Sequence, residues 1–166
     1  MIHNGVKIQF PWTTGIVQRR QTLRYPEQLI APMREDLTKY GLSEALTAEA
    51  VDALLGPDSG TVLMVVNSVC GCAAGKARPA VGLALRHAVL PDKAATVFAG
   101  GDVEAVARVR ERLAGYPPSS PSMALFRDGK PVWMLHRFQI ESSDAVGIAK
   151  KLTEAFDQHC VKALAV

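Results

Sequence analysis

Cys70 and Cys72, separated by Gly71, place two thiols one residue apart. They follow the apolar run 61–66 (Thr-Val-Leu-Met-Val-Val) and precede an alanine-rich stretch, so the pair is expected where a strand gives way to a helix. At a helix N-terminus the unpaired backbone N–H groups and the positive end of the dipole favour a thiolate, the form that attacks disulfides. Residues i and i+2 of a regular helix do not face each other. A bridge therefore needs Cys70 in the loop or cap, with Gly71 absorbing unusual backbone angles. The closed ring is smaller than that of a Cys-x-x-Cys motif, which predicts a strained and readily reduced couple, each ~30 mV corresponding to about 1.4 kcal/mol for two electrons. Position divides the roles: Cys70, at the loop end, is the candidate nucleophile, and Cys72, one step into the helix, the candidate resolving thiol. Lys76 and Arg78 read first as solvated charges on the helix face, and second as cations that lower the pKa of Cys70.

The third cysteine, Cys160, follows His159 near the end of the chain and reads as an idle or auxiliary thiol rather than a third redox participant or a metal ligand. Tetrahedral zinc wants four ligands, and Cys70 and Cys72 have only the distant His159 and Cys160 to join them, so no metal is expected. A non-enzymatic zinc module and a redox-inactive interaction module stand as the second readings. His87 and His136 lack a carboxylate or cysteine at recognisable spacing and read as structural. No Ser/His/Asp arrangement, phosphate loop or dinucleotide fingerprint is present, and no cofactor is expected beyond the cysteine pair.

The 166 residues carry a net charge of only +3, with basic residues scattered among acids except for Arg19, Arg20 and Arg24, a poor basis for nucleic-acid binding. No stretch approaches the roughly 20 apolar residues of a membrane span, and the first 25 residues lack the order of a signal peptide. Three cysteines are too few for a secreted disulfide framework, and the chain reads as cytoplasmic.

The elements that must position the cysteines can be read in turn. Residues 1–24 show no clear period and read as a partly mobile extension, 25–160 as one domain and 161–166 as a tail. Leu29, Ile30, Met33 and Leu37 recur at helical spacing, with Pro32 kinking or restarting that helix. Thr47 can cap a short helix that stops at Gly56-Pro57. After the run 61–66, residues 73–89 read as a helix bent at Pro79, 95–99 as a second buried strand, and Asp102 as the cap of a following helix. Asp128-Gly129 joins strands 122–127 and 131–137 in a hairpin, and Ser143 or Asp144 opens a last helix. This order predicts an α/β fold, a three-layer sandwich with a mixed four-stranded sheet, helices on both faces and N-terminal helices besides.

That order resembles the thioredoxin-like fold, which sets its redox motif after the first of these strands. Such proteins place a cis-proline at the start of the strand entering the hairpin, so the Ser120–Pro121 bond is expected to be cis. The backbone before it, with Gly71, is expected to meet the substrate.

The stretch Asn67-Ser68-Val69-Cys70-Gly71-Cys72-Ala73-Ala74-Gly75 resembles the bacilliredoxins, thioredoxin-like proteins with a Cys-Gly-Cys motif. The resemblance takes in Ala31-Pro32-Met33-Arg34, Ala77-Arg78-Pro79, Val97-Phe98-Ala99-Gly100, Pro118-Ser119-Ser120-Pro121-Ser122-Met123-Ala124 and Phe156-Asp157-Gln158-His159-Cys160. It implies that Cys70 attacks the mixed disulfide between a client protein and a low-molecular-weight thiol, bacillithiol in the best-known members. Cys72 or another thiol then resolves the adduct, and a separate reductase recycles the protein. Disulfide isomerase or reductase activity is implied as well. The extension 1–24 and the tail 161–166 depart from the family pattern.

Overall fold

Residues 61–67 are β-branched or apolar but for the terminal amide, and all seven are buried, as a central strand covered on both faces must be. The computed structural model describes residues 23–161; most of the extension 1–24 and of the tail 161–166 lies outside the described residues. Within them the order is α1 (Glu27–Thr38), β1 (Ser43–Glu44), α2 (Ala48–Leu54), β2 (Thr61–Asn67), a π-helical turn (Ala73–Ala77) running into α3 (Arg78–Ala84), β3 (Lys93–Phe98), α4 (Val103–Arg112), β4 (Ser122–Arg127), β5 (Lys130–Leu135), α5 (Arg137–Glu141) and α6 (Ala145–His159). The sheet is five-stranded in the order β1-β3-β2-β4-β5. β3 runs parallel to β2 and β1, while β4 is antiparallel to β2 and β5.

The side-chain alternation of β2 distributes the core. Leu63 and Val65 join the cluster that α3 and α6 cover, with Val81, Ile148, Leu152 and Phe156. Val62, Met64 and Val66 face the other way, onto Val51 of α2 and Val106 and Val109 of α4. This is the mixed α/β sandwich of the thioredoxin-like order, with one more strand than the four expected. β1 is only two residues long and both are exposed, so no hydrophobic pattern marks it.

Local chemistry explains most boundaries. Thr47 caps α2 by accepting from the Ala50 N–H, and Asp144 caps α6 by accepting from the Gly147 N–H. The hairpin turn has positive φ at both Asp128 and Gly129, the backbone that Asp-Gly favours. A side chain on Gly129 would also meet the Leu55 carbonyl. α1 passes through Pro32 without restarting. The helix expected over 73–89 ends earlier, at Ala84, and its first part is π-helical: the Arg78 N–H donates to the Ala73 carbonyl, five residues back. Pro79 has no N–H to donate to the preceding turn, and the wider turn ahead of it accommodates that loss. The strand expected over 131–137 stops at Leu135, and Arg137 opens α5, which the reading did not include.

Asp102 stands at the N-cap position of α4, as expected, but its side chain makes no cap hydrogen bond. Its carboxylate accepts from Arg34 Nη1 and Nη2 at 2.9 and 2.7 Å and from the Phe98 N–H at 2.8 Å, fastening α1 to the end of β3. Hydrogen bonds from Arg34 to Asp102 hold its guanidinium above its usual range. Removing this carboxylate leaves a nearly buried guanidinium with Glu27 and Glu44 as its remaining ion-pair partners among the described residues. Asp102→Ala is expected to lose about 2–3 kcal/mol in urea denaturation, and a loss below about 1 kcal/mol would contradict this role for the pair.

Candidate redox site

Beyond Asn67 the chain leaves β2, and Cys70 lies in the loop just before the helix begins at Gly71. Cys70 and Cys72 are joined in a disulfide with Cα atoms 5.4 Å apart, an ordinary separation for such a bond. Gly71 is helical and has no positive φ, so the unusual backbone expected there is absent. The i, i+2 bridge forms because Cys70 stands outside the helix. A Cβ built on Gly71 would meet nothing within 4 Å, which leaves this side of the motif open to an approaching molecule.

Both cysteines are half-buried, but their surroundings differ. Cys72 packs against the core cluster under α3 and α6. Cys70 Sγ accepts from the Ala73 N–H at 3.3 Å and from Ser68 Oγ at 3.4 Å, while the Cys70 carbonyl accepts from the N–H groups of Ala73 and Ala74. Donors aimed at sulfur favour its anionic form once the disulfide is reduced.

Beneath this loop is a charge that the sequence reading placed in solvent. Arg78 is 5% exposed. Its Nη1 donates to Asn67 Oδ1 at 3.2 Å and to the Ser68 carbonyl at 3.1 Å, and its Nε lies 3.1 Å from Asp36 Oδ2. Burial draws the guanidinium below its usual range and Asp36 opposes that. Asn67 completes the knot: its Oδ1 accepts from the Ser68 N–H, and its Nδ2 donates to the Met33 carbonyl of α1. Lys76 is also not free, since its Nζ donates to the Glu141 carbonyl at the end of α5. Asn67, Ser68 and Asp36 were not singled out as site residues in the sequence. The available signal was an amide ending an otherwise apolar central strand.

The Ser120–Pro121 peptide bond is cis, as expected. β4 pairs with β2 so that Ser122, its first residue, stands opposite Val66 at the end where β2 runs out toward the cysteines, and Ser120 and Pro121 lead into β4 at that end. Ser120, Pro121, Gly71 and the two cysteines therefore gather at one end of the sheet. Its carbonyl accepting from Arg137 Nη1, Ser120 is fixed by the start of α5.

Cys160 is at the other end. It ends α6 beside Thr61 and Arg127, a full length of β2 from the disulfide, roughly 20 Å at the rise of a strand. Burial pushes its thiol up from the ordinary value, with Thr61 and Arg127 acting against the shift. His159 offers its carbonyl to Arg127 Nη2. Among the described residues no three His, Cys, Asp or Glu side chains gather as metal ligands would. His87, read as lacking a carboxylate, has Asp157 Oδ1 2.7 Å from its Nε2, a pairing made across 70 positions. No helix among the described residues is long and apolar enough to cross a membrane.

A thioredoxin-like sheet with a paired Cys-x-Cys after its central strand and a cis-proline at the same end of the sheet is the architecture of a thiol–disulfide redox protein. The comparisons with known proteins agree. A family model described as disulphide isomerase matches residues 25–160. A bacilliredoxin of Koribacter versatilis is 52% identical over 136 residues, covering 82% of this chain and 94% of its own. A bacilliredoxin of Salinibacter ruber is 52% identical over 141 residues, covering 82% and 81%, and one of Staphylococcus aureus is 46% identical over 136, covering 82% and 93%. The chain belongs to the bacilliredoxin family, and its role is thiol–disulfide redox chemistry.

The raised pKa of Cys160 has a definite sign. A thiol whose folded value lies above its unfolded value, ~8.5, contributes stability that is fully present below the unfolded value and lost as pH rises through the folded one. The stability advantage of wild type over Cys160→Ala is therefore expected to shrink above about pH 9. In the oxidised native protein, iodoacetamide is expected to label Cys160 at under about one-tenth the rate seen in urea. Equal labelling rates would contradict its burial.

Proposed function

We propose that this protein removes a low-molecular-weight thiol, of the bacillithiol kind, from client proteins, with Cys70 as nucleophile and Cys72 as resolving thiol. The observation that carries the reading is the asymmetry of the pair: Cys70 Sγ is aimed at by Ala73 N–H and Ser68 Oγ, whereas Cys72 packs against the core.

The chemistry starts from the reduced pair. The Cys70 thiolate attacks the small thiol's sulfur in the mixed disulfide. The client sulfur leaves as a thiolate and takes a proton, and the small thiol is now bonded to Cys70. Deprotonated Cys72 then attacks Cys70 Sγ, the small thiol leaves as its thiolate, and the Cys70–Cys72 disulfide forms. The client has gained two electrons and the cysteine pair has lost two, so a dithiol reductase must return them before the next cycle. A second molecule of small thiol attacking the adduct is the alternative resolving step.

The backbone at Ser120, ahead of Pro121, together with the open side of Gly71, supplies the surface on which the incoming disulfide lies. Disulfide isomerase or reductase action on other substrates follows from the same attack. The residues at the site need no cofactor for it. A reducing compartment, the cytoplasm, suits a couple that must be reset after each turnover.

The test is a client protein carrying bacillithiol in mixed disulfide, offered to reduced wild type, Cys70→Ala and Cys72→Ala. Cys70→Ala is expected to fall to the uncatalysed rate. Cys72→Ala is expected to release one equivalent of reduced client and stop as the bacillithiol adduct, with added free thiol restoring turnover. Full activity without Cys70 would overturn the assignment.

A further inference from the structure

The segment that leads into β4 is gripped at successive peptide units. Ser119 Oγ accepts from the Arg137 N–H at 2.9 Å, the Ser119 carbonyl accepts from Ser122 Oγ at 2.8 Å, and the Ser120 carbonyl accepts from Arg137 Nη1 at 3.3 Å. A peptide unit is planar, so restraining its oxygen restrains the whole unit. The Ser119 carbonyl shares a plane with the Ser120 N–H, and the Ser120 carbonyl lies in the next plane, toward Pro121. Both planes around Ser120 are therefore held. The Ser120 N–H itself donates to nothing among the described residues, and Ser120 is only half-buried. Because the bond between Ser119 and Ser120 is trans, that N–H points opposite to the Ser119 carbonyl and hence away from the Ser122 hydroxyl.

The guanidinium that grips Ser120 is aimed in its turn. Arg137 Nε donates to Glu141 Oε1 at 2.7 Å, one turn along α5, and the Glu141 carbonyl accepts from Lys76 Nζ of the π-helical turn behind the cysteines. α5 packs on that turn, and its Ile140 is buried in the core cluster that includes Ala77. One short helix thus ties the redox helix to the segment ahead of β4. Arg137 is half-exposed, and an ion pair such as the one it makes with Glu141 adds little to stability. What its bonds determine is where the Ser120 peptide lies.

We propose that Arg137 is a positioning residue for the client: it holds the Ser120 peptide so that the free Ser120 N–H donates to a backbone carbonyl of the client beside its modified cysteine. The proposal rests on the relay described above and adds the residue that orders the client for it. Arg137 acts on binding and not on the thiolate, since Ser68 Oγ and the Ala73 N–H, which meet Cys70 Sγ, are not among its partners.

One client protein carrying bacillithiol in mixed disulfide is mixed with excess reduced wild type, Arg137→Met or Ser119→Ala, each shown by urea denaturation to be folded. Release of the client thiol is followed in a single turnover over a series of protein concentrations. Arg137→Met is expected to raise the half-saturating concentration about fivefold and to keep the limiting rate within about twofold. Ser119→Ala, which removes no charge but frees the Arg137 N–H, is expected to move the half-saturating concentration the same way. The pH profile of Cys70 alkylation is expected to be that of wild type in both variants, whereas a general loosening of the site would displace it. An unchanged half-saturating concentration in Arg137→Met would overturn the proposal, as would a loss confined to the limiting rate. A loss that high salt abolishes would mean attraction between charges and would overturn it too. A wild type that releases no client would overturn the relay, and this proposal with it; an active wild type matched by Arg137→Met would overturn the role of Arg137 alone.

Discussion

A guanidinium with almost no exposure is costly to bury unless acceptors meet it, and Arg78 obtains two of them from the segment that carries the redox cysteines. It reaches the side-chain oxygen of Asn67 and the carbonyl of Ser68, with Asp36 of α1 as counter-ion. Asn67 in turn holds the carbonyl of Met33. One buried charge thus ties α3, α1 and the end of β2 together immediately behind Cys70. The loop bearing Cys70 is consequently fixed from behind, while its outward side, at Gly71, stays open.

From that constraint the division of the molecule follows. Parallel pairing of β2 with β3 and antiparallel pairing with β4 bring the C-terminal end of β2, the cis-proline and the start of α5 to one edge. Cys160 is at the opposite end of the same strand, so within one folded molecule the partner available to Cys70 is Cys72. The two sulfurs differ by environment rather than by depth: one is met by N–H and O–H donors and the other by apolar side chains. Membership of the bacilliredoxin family places this arrangement in thiol–disulfide redox chemistry.

The elements with a strong periodic or compositional mark were legible in the sequence: β2, the hairpin at Asp128-Gly129, the cap Thr47, the start of the last helix at Ser143 or Asp144, and the helix behind the cysteines. β1 was not, because two exposed residues carry no pattern, nor was α5, which is only five residues long. Cys70, Cys72, Gly71, Ser120 and Pro121 could be placed at one end of the sheet from the sequence because the strand–helix junction and the fold order locate them. Arg78 was misplaced for a physical reason. A charged residue in an alanine-rich helix is ordinarily solvated, and nothing local announces an acceptor 10 or 11 positions earlier in the chain. Asp102 misled in the same way, its position being that of a cap while its carboxylate answers to Arg34, 68 residues away.

Arg78 holds from behind the loop in which Ser68 Oγ and the Ala73 N–H meet Cys70 Sγ, and the pH profile of Cys70 alkylation in the reduced protein tests that support directly. Wild type and Arg78→Met, each shown to be folded, would be labelled with iodoacetamide across a pH series and the modification at Cys70 read by peptide mass spectrometry. The predicted result is a profile displaced to higher pH in Arg78→Met by about one unit, with slower labelling at neutral pH. Superimposable profiles would contradict the account.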